Sequence, residues 1–258
     1  MAARAMWKGI IRFGDAQVPV KLYSAVRDRN IHFRLLHGKD RSPVRQAMVN
    51  PETDQVVAYQ DTRRAYVTDE GSMVVLDKGE LDALEPESSR DIEVVGFLPP
   101  TQIDHRWYDR PYYLGPDGLE EDYFALIEAL ETSGKEGLAR WVMRKKGYVG
   151  ALRLHEGYPM LMSLRHAEEL VSVDALEAPQ GAKLDAKELA MAGQLISMLE
   201  APFEPGEYRD EYRERVMELI EAKQRGGRVK VTPIRRRKPS DDLSKALQAS
   251  LKEERERA

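Results

Sequence analysis

Apolar and polar residues alternate along the first third of the chain. In VPVKLYS (18–24), Val18, Val20 and Leu22 occupy every second position, the period of a strand with one buried face. Pro19 within it predicts an edge strand or a strand start. In NIHFRLLH, Ile31, Phe33 and Leu35 alternate with His32 and Arg34, which predicts a second half-buried strand. SMVVLDKGEL and RDIEVVGFL add β-branched runs bounded by turn residues. Short strands at this spacing predict a barrel or a sandwich.

The period then changes. In DGLEEDYFALIEALETS (117–133), Leu119, Tyr123, Leu126, Ile127 and Leu130 share one helical face. Strand patterns return in ARWVMRKKGYVGALRL and YPMLMSLR. From residue 185 the pattern is helical: Asp185 and Glu188 stand in capping-box spacing, although Ser or Thr is the more usual cap. Leu189, Ala192, Leu195, Ile196 and Leu199 form the apolar face, and Pro202 stops the helix. A further helix aligns Tyr208, Tyr212, Val216 and Leu219 before Gly226 and Gly227. After Pro239, Ser240 is a good N-cap with Asp241 and Asp242 in the first turn, and Leu243, Leu247 and Leu251 make a narrow stripe. Three leucines on one short helix cannot build a core, so the stripe predicts a partner's groove.

The 258 residues suffice for one large domain or two small ones. At 42% hydrophobic and 33% charged, the chain reads as soluble and globular. It has no run of eighteen apolar residues, and MAARAMWKGIIRFG holds no apolar stretch long enough for a signal peptide. Absence of cysteine excludes disulfides, thiolate zinc sites and cysteine nucleophiles, and a cytoplasmic location is expected.

Charge changes the picture further. Forty basic and 44 acidic residues leave a net charge of -4, so any basic excess is local. Residues 27 to 45 carry six cations (Arg27, Arg29, Arg34, Lys39, Arg41, Arg45) against Asp28 and Asp40. Arg63 and Arg64, Arg106 and Arg110, and RKK at 144–146 form further patches. Residues 184–221 hold ten acids and four cations, whereas 223–238 hold eight cations and no acid, a flexible basic linker. A charge run alone is usually a solvated face. Recurrence in turn-rich stretches between strands instead aims several loops at one polyanion, and phosphate neutralisation gives affinity without sequence preference.

Enzyme chemistry is short of parts. His32, His37, His105, His155 and His166 lack metal-binding helical spacing, and no phosphate loop, dinucleotide fingerprint or nucleophile elbow is present. The EED run at 120–122 falls on the polar face of a predicted helix.

MWKGIIRFGDAQVPVKLYSA closely resembles the opening of bacterial Ku, the homodimeric DNA-end-binding protein of non-homologous end joining. The resemblance runs on through FRLLHGKD, LDALEPESSRDIEVVGFLP, IDHRWYDRPYYLGPD, LARWVMRKKGYVGALR, LISMLEAPFEPGEYRDEY and DDLSKALQASL, nearly the whole chain. It implies an α+β fold with a β-barrel core bearing DNA-bridging loops over 1–183, a helical dimerisation arm over 184–224, the linker over 225–238, and a partner-binding helix over 239–258. It also implies a ring closed by two subunits, threaded by double-stranded DNA ends and reading phosphate rather than sequence. Arg27, Arg29, Arg34, Lys39, Arg41 and Arg45 would then line the hole, with Arg63, Arg64, Arg106 and Arg110 as companions. Leu243, Leu247 and Leu251 would dock on an ATP-dependent multifunctional DNA ligase of the ligase D type. The resemblance implies no cofactor, no metal and a nucleoid-associated location. The chain departs from it in QAMVNPETDQVV, where Asn50 and Thr53 replace a Cys-x-x-Cys pair, so no zinc loop of that kind is expected. Two other readings stay open: a lyase forming a Schiff base through Lys21 or Lys39, and an architectural protein binding anywhere along duplex.

Overall fold

Val18, Val20 and Leu22 are buried to 3% exposure or less, while Pro19 and Lys21 between them stay partly exposed, so the first predicted strand forms with the face its period requires. The structure is a computed structural model describing residues 4–178, 185–226 and 247–252. The chain divides into two compact units between Ala175 and Leu176.

In chain order the first unit carries β1 (Trp7–Phe13), β2 (Ala16–Ser24), a ribbon of β3 (Met48–Val49) and β4 (Val56–Val57), and a second ribbon of β5 (Arg64–Val67) and β6 (Met73–Leu76). Then come α1 (Lys78–Ala83), β7 (Asp91–Leu98), β8 (Tyr108–Pro116), α2 (Glu120–Ser133), β9 (Glu136–Met143), β10 (Lys146–His155) and β11 (Tyr158–Leu164). Seven strands close a barrel in the order β1-β2-β8-β11-β10-β9-β7. Only the β7–β1 seam is parallel. Ile11, Val20, Leu22, Ile92, Leu114, Leu152 and Leu161 fill the core, each side chain contributing about 1.5–3 kcal/mol by leaving water. Helix α2 adds Tyr123, Leu126 and Leu130 to that core, and Tyr123 donates its hydroxyl to the Leu114 carbonyl at 2.6 Å. Burial pushes the Tyr123 phenol well up from its ordinary value.

Three expectations need correction. Pro19 is neither at an edge nor at a strand start; it sits within β2 opposite Ile10. The barrel tolerates it because its missing N–H faces β8 beyond the first paired residues, Val20 and Pro116, and its carbonyl still accepts from the Asp117 N–H at 3.1 Å. Residues 31–35 form no strand. Phe33 and Leu35 are both about two-thirds exposed, and only an isolated bridge between Leu36 and Pro43 appears nearby. Periodicity marks which residues alternate but supplies no neighbouring strand. Leu119 lies outside the buried helical face, exposed at the N-cap of α2 with φ 47°.

The second unit carries α3 (Ala186–Met198) and α4 (Glu211–Gln224), so Tyr208, expected on the helix of Tyr212, instead follows a short 3-10 turn ahead of α4. Asp185 accepts the Glu188 N–H at 2.7 Å, so the capping box forms with Asp as cap. Leu189, Ile196, Leu199, Phe203, Tyr208 and Tyr212 are each more than half exposed. Residues 247–252 are helical; Leu247 is partly buried and Leu251 is 7% exposed. Leu243 and most of the basic linker lie outside the described residues.

Candidate nucleic-acid interface

Strand direction sorts charge along the barrel. One end gathers the starts of β1, β7, β8 and β10 and the ends of β2, β9 and β11. Arg90, Arg106, Arg110, Arg144, Lys145, Lys146 and Arg165 all fall there, outnumbering Asp91, Asp104 and Asp109 at the same strand ends. The other end carries Asp15, Asp117, Glu156 and the first turn of α2 with Glu120, Glu121 and Asp122.

Residues 25–90, between β2 and β7, leave and rejoin the barrel at the basic end. Their outgoing part is the basic one. Arg27, Arg29, Arg34, Lys39, Arg41, Arg45, Arg63 and Arg64 are all exposed on it. Residues 67–89 hold seven acids and one cation, Lys78, so the returning part is acidic. Residues 35–44 make a tight turn closed by His37 N–H to the Ser42 carbonyl (2.8 Å) and Arg41 N–H to the His37 carbonyl (3.0 Å). Asp40 is consumed in building it. The carboxylate accepts the Ser42 N–H and hydroxyl and lies 2.8 Å from His37 Nδ1, and these bonds, Ser42 first, hold it below the ordinary carboxylate range. Lys39 and Arg41 (φ 60°) are left at the tip. Asp28 is spent likewise, accepting the Asn30 N–H at 2.8 Å. Both acids of this patch thus take part in shaping its backbone, and its cations are exposed.

The two barrel-end arginines differ. Arg106 Nε lies 2.7 Å from Asp104, which also accepts the Arg106 N–H and is lowered by it, so this cation is largely compensated. Arg110 sits on a β-bulge, where Ser163 alone opposes Asp109 and Arg110. The buried Ser163 hydroxyl accepts the Arg110 N–H at 3.1 Å, satisfying the ladder the bulge interrupts. Sequence reading missed Arg165. Its guanidinium donates to the carbonyls of Arg106 (2.8 Å) and Tyr108 and tethers the β8 entry to the end of β11. Arg144 and Lys145 were visible in RKK; they form the β9–β10 turn at φ 52° and 66°.

Of the alternative nucleophiles, Lys21 is engaged in an ion pair, its Nζ 3.0 Å from Asp117. Lys39 is exposed at its turn tip. In the ribbon at Asn50, the Asn50 N–H donates to the Gln55 carbonyl and its side chain accepts the Glu52 N–H, both at 2.9 Å. Among the described residues, no three His, Asp or Glu side chains gather as metal ligands. No helix there is long and apolar enough to cross a membrane.

A barrel carrying a basic excursion at one end is the architecture that the resemblance to Ku implies, and sequence comparison decides the family. The profile of the Ku70/Ku80 beta-barrel domain matches residues 12–191. The chain belongs to the Ku family. A Ku relative from Geotalea uraniireducens, named Non-homologous end joining protein Ku 2, is 39% identical over 98% of this chain and 99% of its own length. The Coxiella burnetii Non-homologous end joining protein Ku is 37% identical over 88% of this chain and 85% of its own. The Mycobacterium tuberculosis Ku protein of the same name is 34% identical over 96% and 95%.

Proposed function

We propose that two copies of this chain form a ring that threads onto free double-stranded DNA ends in non-homologous end joining, protects the end and delivers it to a ligase. The carrying observation is the one-sided charge: exposed cations from Arg27 to Arg64 project from the end of the barrel that also holds Arg110, Arg144 and Lys146. A net negative chain with such a face binds phosphate there and repels it elsewhere. The relatives' names place the family in end joining. The exposed apolar side chains of α3 and α4 favour a homodimer, because so much apolar surface is covered in a stable soluble assembly.

In this reading the protein has no chemistry of its own and works at the nucleoid, and the ligase is ATP-dependent, multifunctional and of the ligase D type. The stripe of Leu247 and Leu251, continued by Leu243 in sequence, is its docking element. Binding to linear duplex and to the same duplex closed into a circle tests the reading. Linear DNA should bind and the circle should not. If roughly six phosphates are neutralised per dimer, log affinity falls with log salt at a slope of about -5. Equal affinity for circle and line would overturn threading.

A further inference from the structure

On the outer face of β2, β8 and β11, three tyrosines surround an open recess of about 430 Å³. Tyr23 pairs directly with Tyr113 across β2 and β8. Tyr158, at the start of β11, meets Tyr113 edge to face, with centroids 5.7 Å apart and planes at 88°. Two walls of the recess therefore stand at right angles. Gly115 keeps the space between them open: a Cβ there would lie 3.1 Å from Tyr23 Cε2 and 3.4 Å from the Tyr158 hydroxyl. His155 and Glu156 complete the lining. Glu156 (φ 52°) and Gly157 (φ 76°) form the two-residue turn between His155 and Tyr158, so the hairpin itself fixes a carboxylate at the rim.

We propose that this recess binds an arginine side chain presented by an extended basic segment of a partner protein. Aromatic faces carry negative potential, and a cation over one within about 6 Å is attracted by it. Rings set at right angles enclose such a cation from two sides. Glu156 supplies the full negative charge, and no Lys or Arg lines the recess. Glu156 and Tyr158 belong to the acidic end of the barrel, together with Glu120, Glu121 and Asp122, so the surrounding field also favours a cation. Arginine fits better than lysine because its flat, weakly hydrated guanidinium stacks on one ring while its N–H groups reach the carboxylate. Glu156 and Tyr158, at the β10–β11 turn, mark the side of the recess that faces away from the basic end. The inference stands without the DNA-binding reading.

The test uses the full-length protein with 3-fluorotyrosine incorporated, titrated with the peptide Gly-Ser-Gly-Arg-Gly-Ser-Gly and with its citrulline counterpart, which is equal in shape but uncharged. Fluorine resonances of Tyr23, Tyr113 and Tyr158 should shift saturably with the arginine peptide and not with the citrulline one. Tyr158→Leu, which keeps an apolar side chain and removes the ring, should weaken binding about three- to tenfold. Glu156→Gln, which alters neither shape nor turn, should weaken it as well. Thermal melting establishes that both variants are folded. Equal binding of the two peptides, or undiminished binding by folded Tyr158→Leu, would overturn the assignment. Affinity for linear duplex, measured alongside, should be unchanged in both variants; its loss would place the recess inside the DNA interface and refute a protein ligand.

Discussion

Lys145 Nζ lies 2.7 Å from Glu85 Oε2, joining the β9–β10 turn to the acidic return of the 25–90 excursion. The excursion, whose own strands pair only with one another, is thus tied to the barrel near the point where it rejoins it. Hydrogen bonding to Glu85, then its charge, raises the Lys145 pKa above 10.5. A raised lysine pKa contributes stability that is fully present below the unfolded value and disappears as pH rises through the folded one. Both partners are solvated, so the effect on melting is small. Glu85→Gln should melt slightly below the parent near neutral pH, with the gap closing above about pH 10.5. A gap that persisted beyond the lysine's titration would mean that the anchor is not electrostatic.

Lys39 and Arg41 crown a turn whose only acid is already bonded to Ser42 and His37. Replacing both with alanine should weaken binding to linear duplex similarly for every sequence and reduce the salt slope by about 2, one unit per phosphate contact. Arg106→Ala should cost much less, since Asp104 already compensates that cation. Equal losses from the two changes would show that Asp104 releases Arg106 on binding.

Why were some of these features legible in sequence and others not? The barrel strands were, because Val18, Val20, Leu22, Ile92 and Val94 each face a single core and the period records it. The excursion misled the same reasoning: Ile31, Phe33 and Leu35 alternate, yet no strand among the described residues pairs with them. The basic patches were legible as composition, but their ranking was not. Pairing of Asp104 with Arg106, and of Lys21 with Asp117, depends on turns and registers that spacing does not encode. Arg165 bears no local mark at all. Its role exists only because β11 ends beside the entry to β8, where the carbonyls of Arg106 and Tyr108 meet its guanidinium.

Gly150 illustrates a constraint on packing. A Cβ there would stand 2.5 Å from the Met162 carbonyl oxygen and 2.6 Å from the Trp141 ring. That ring stacks on Tyr148 at 5.3 Å and 12°, so it cannot retreat without breaking the stack. Gly150→Ala should destabilise the barrel by about 1–3 kcal/mol, seen as a lower urea midpoint at unchanged slope. An unshifted midpoint would mean that the indole moves freely.

Ile196 on α3 is 71% exposed and Tyr212 on α4 is 70% exposed, and each sits among other uncovered apolar side chains. Sedimentation of the protein without DNA should give a dimer at micromolar concentration. Ile196→Asp should shift it toward monomer with helix content retained, because an aspartate in the covered face would lose its hydration. A parent protein that sediments as a monomer would remove the basis for the ring.

The C-terminal stripe gives the sharpest division of labour. Leu251 is 7% exposed and Leu247 partly buried, so the described turns of this helix already rest against the chain. Docking on a ligase would have to exchange that contact for the partner's groove. Burying two leucines contributes roughly 3 to 6 kcal/mol before the costs of association, and the contact given up offsets part of it. The consequence is an interaction that is weak in isolation and is strengthened when DNA holds both proteins together. Deleting residues 239–258 while keeping the cations of 223–238 should preserve dimerisation and most end binding but abolish stimulation of the ligase. Leu247→Ala with Leu251→Ala should reproduce that loss in the full-length chain. If the truncated protein still stimulates fully, the ligase docks elsewhere and the stripe serves the chain's own packing.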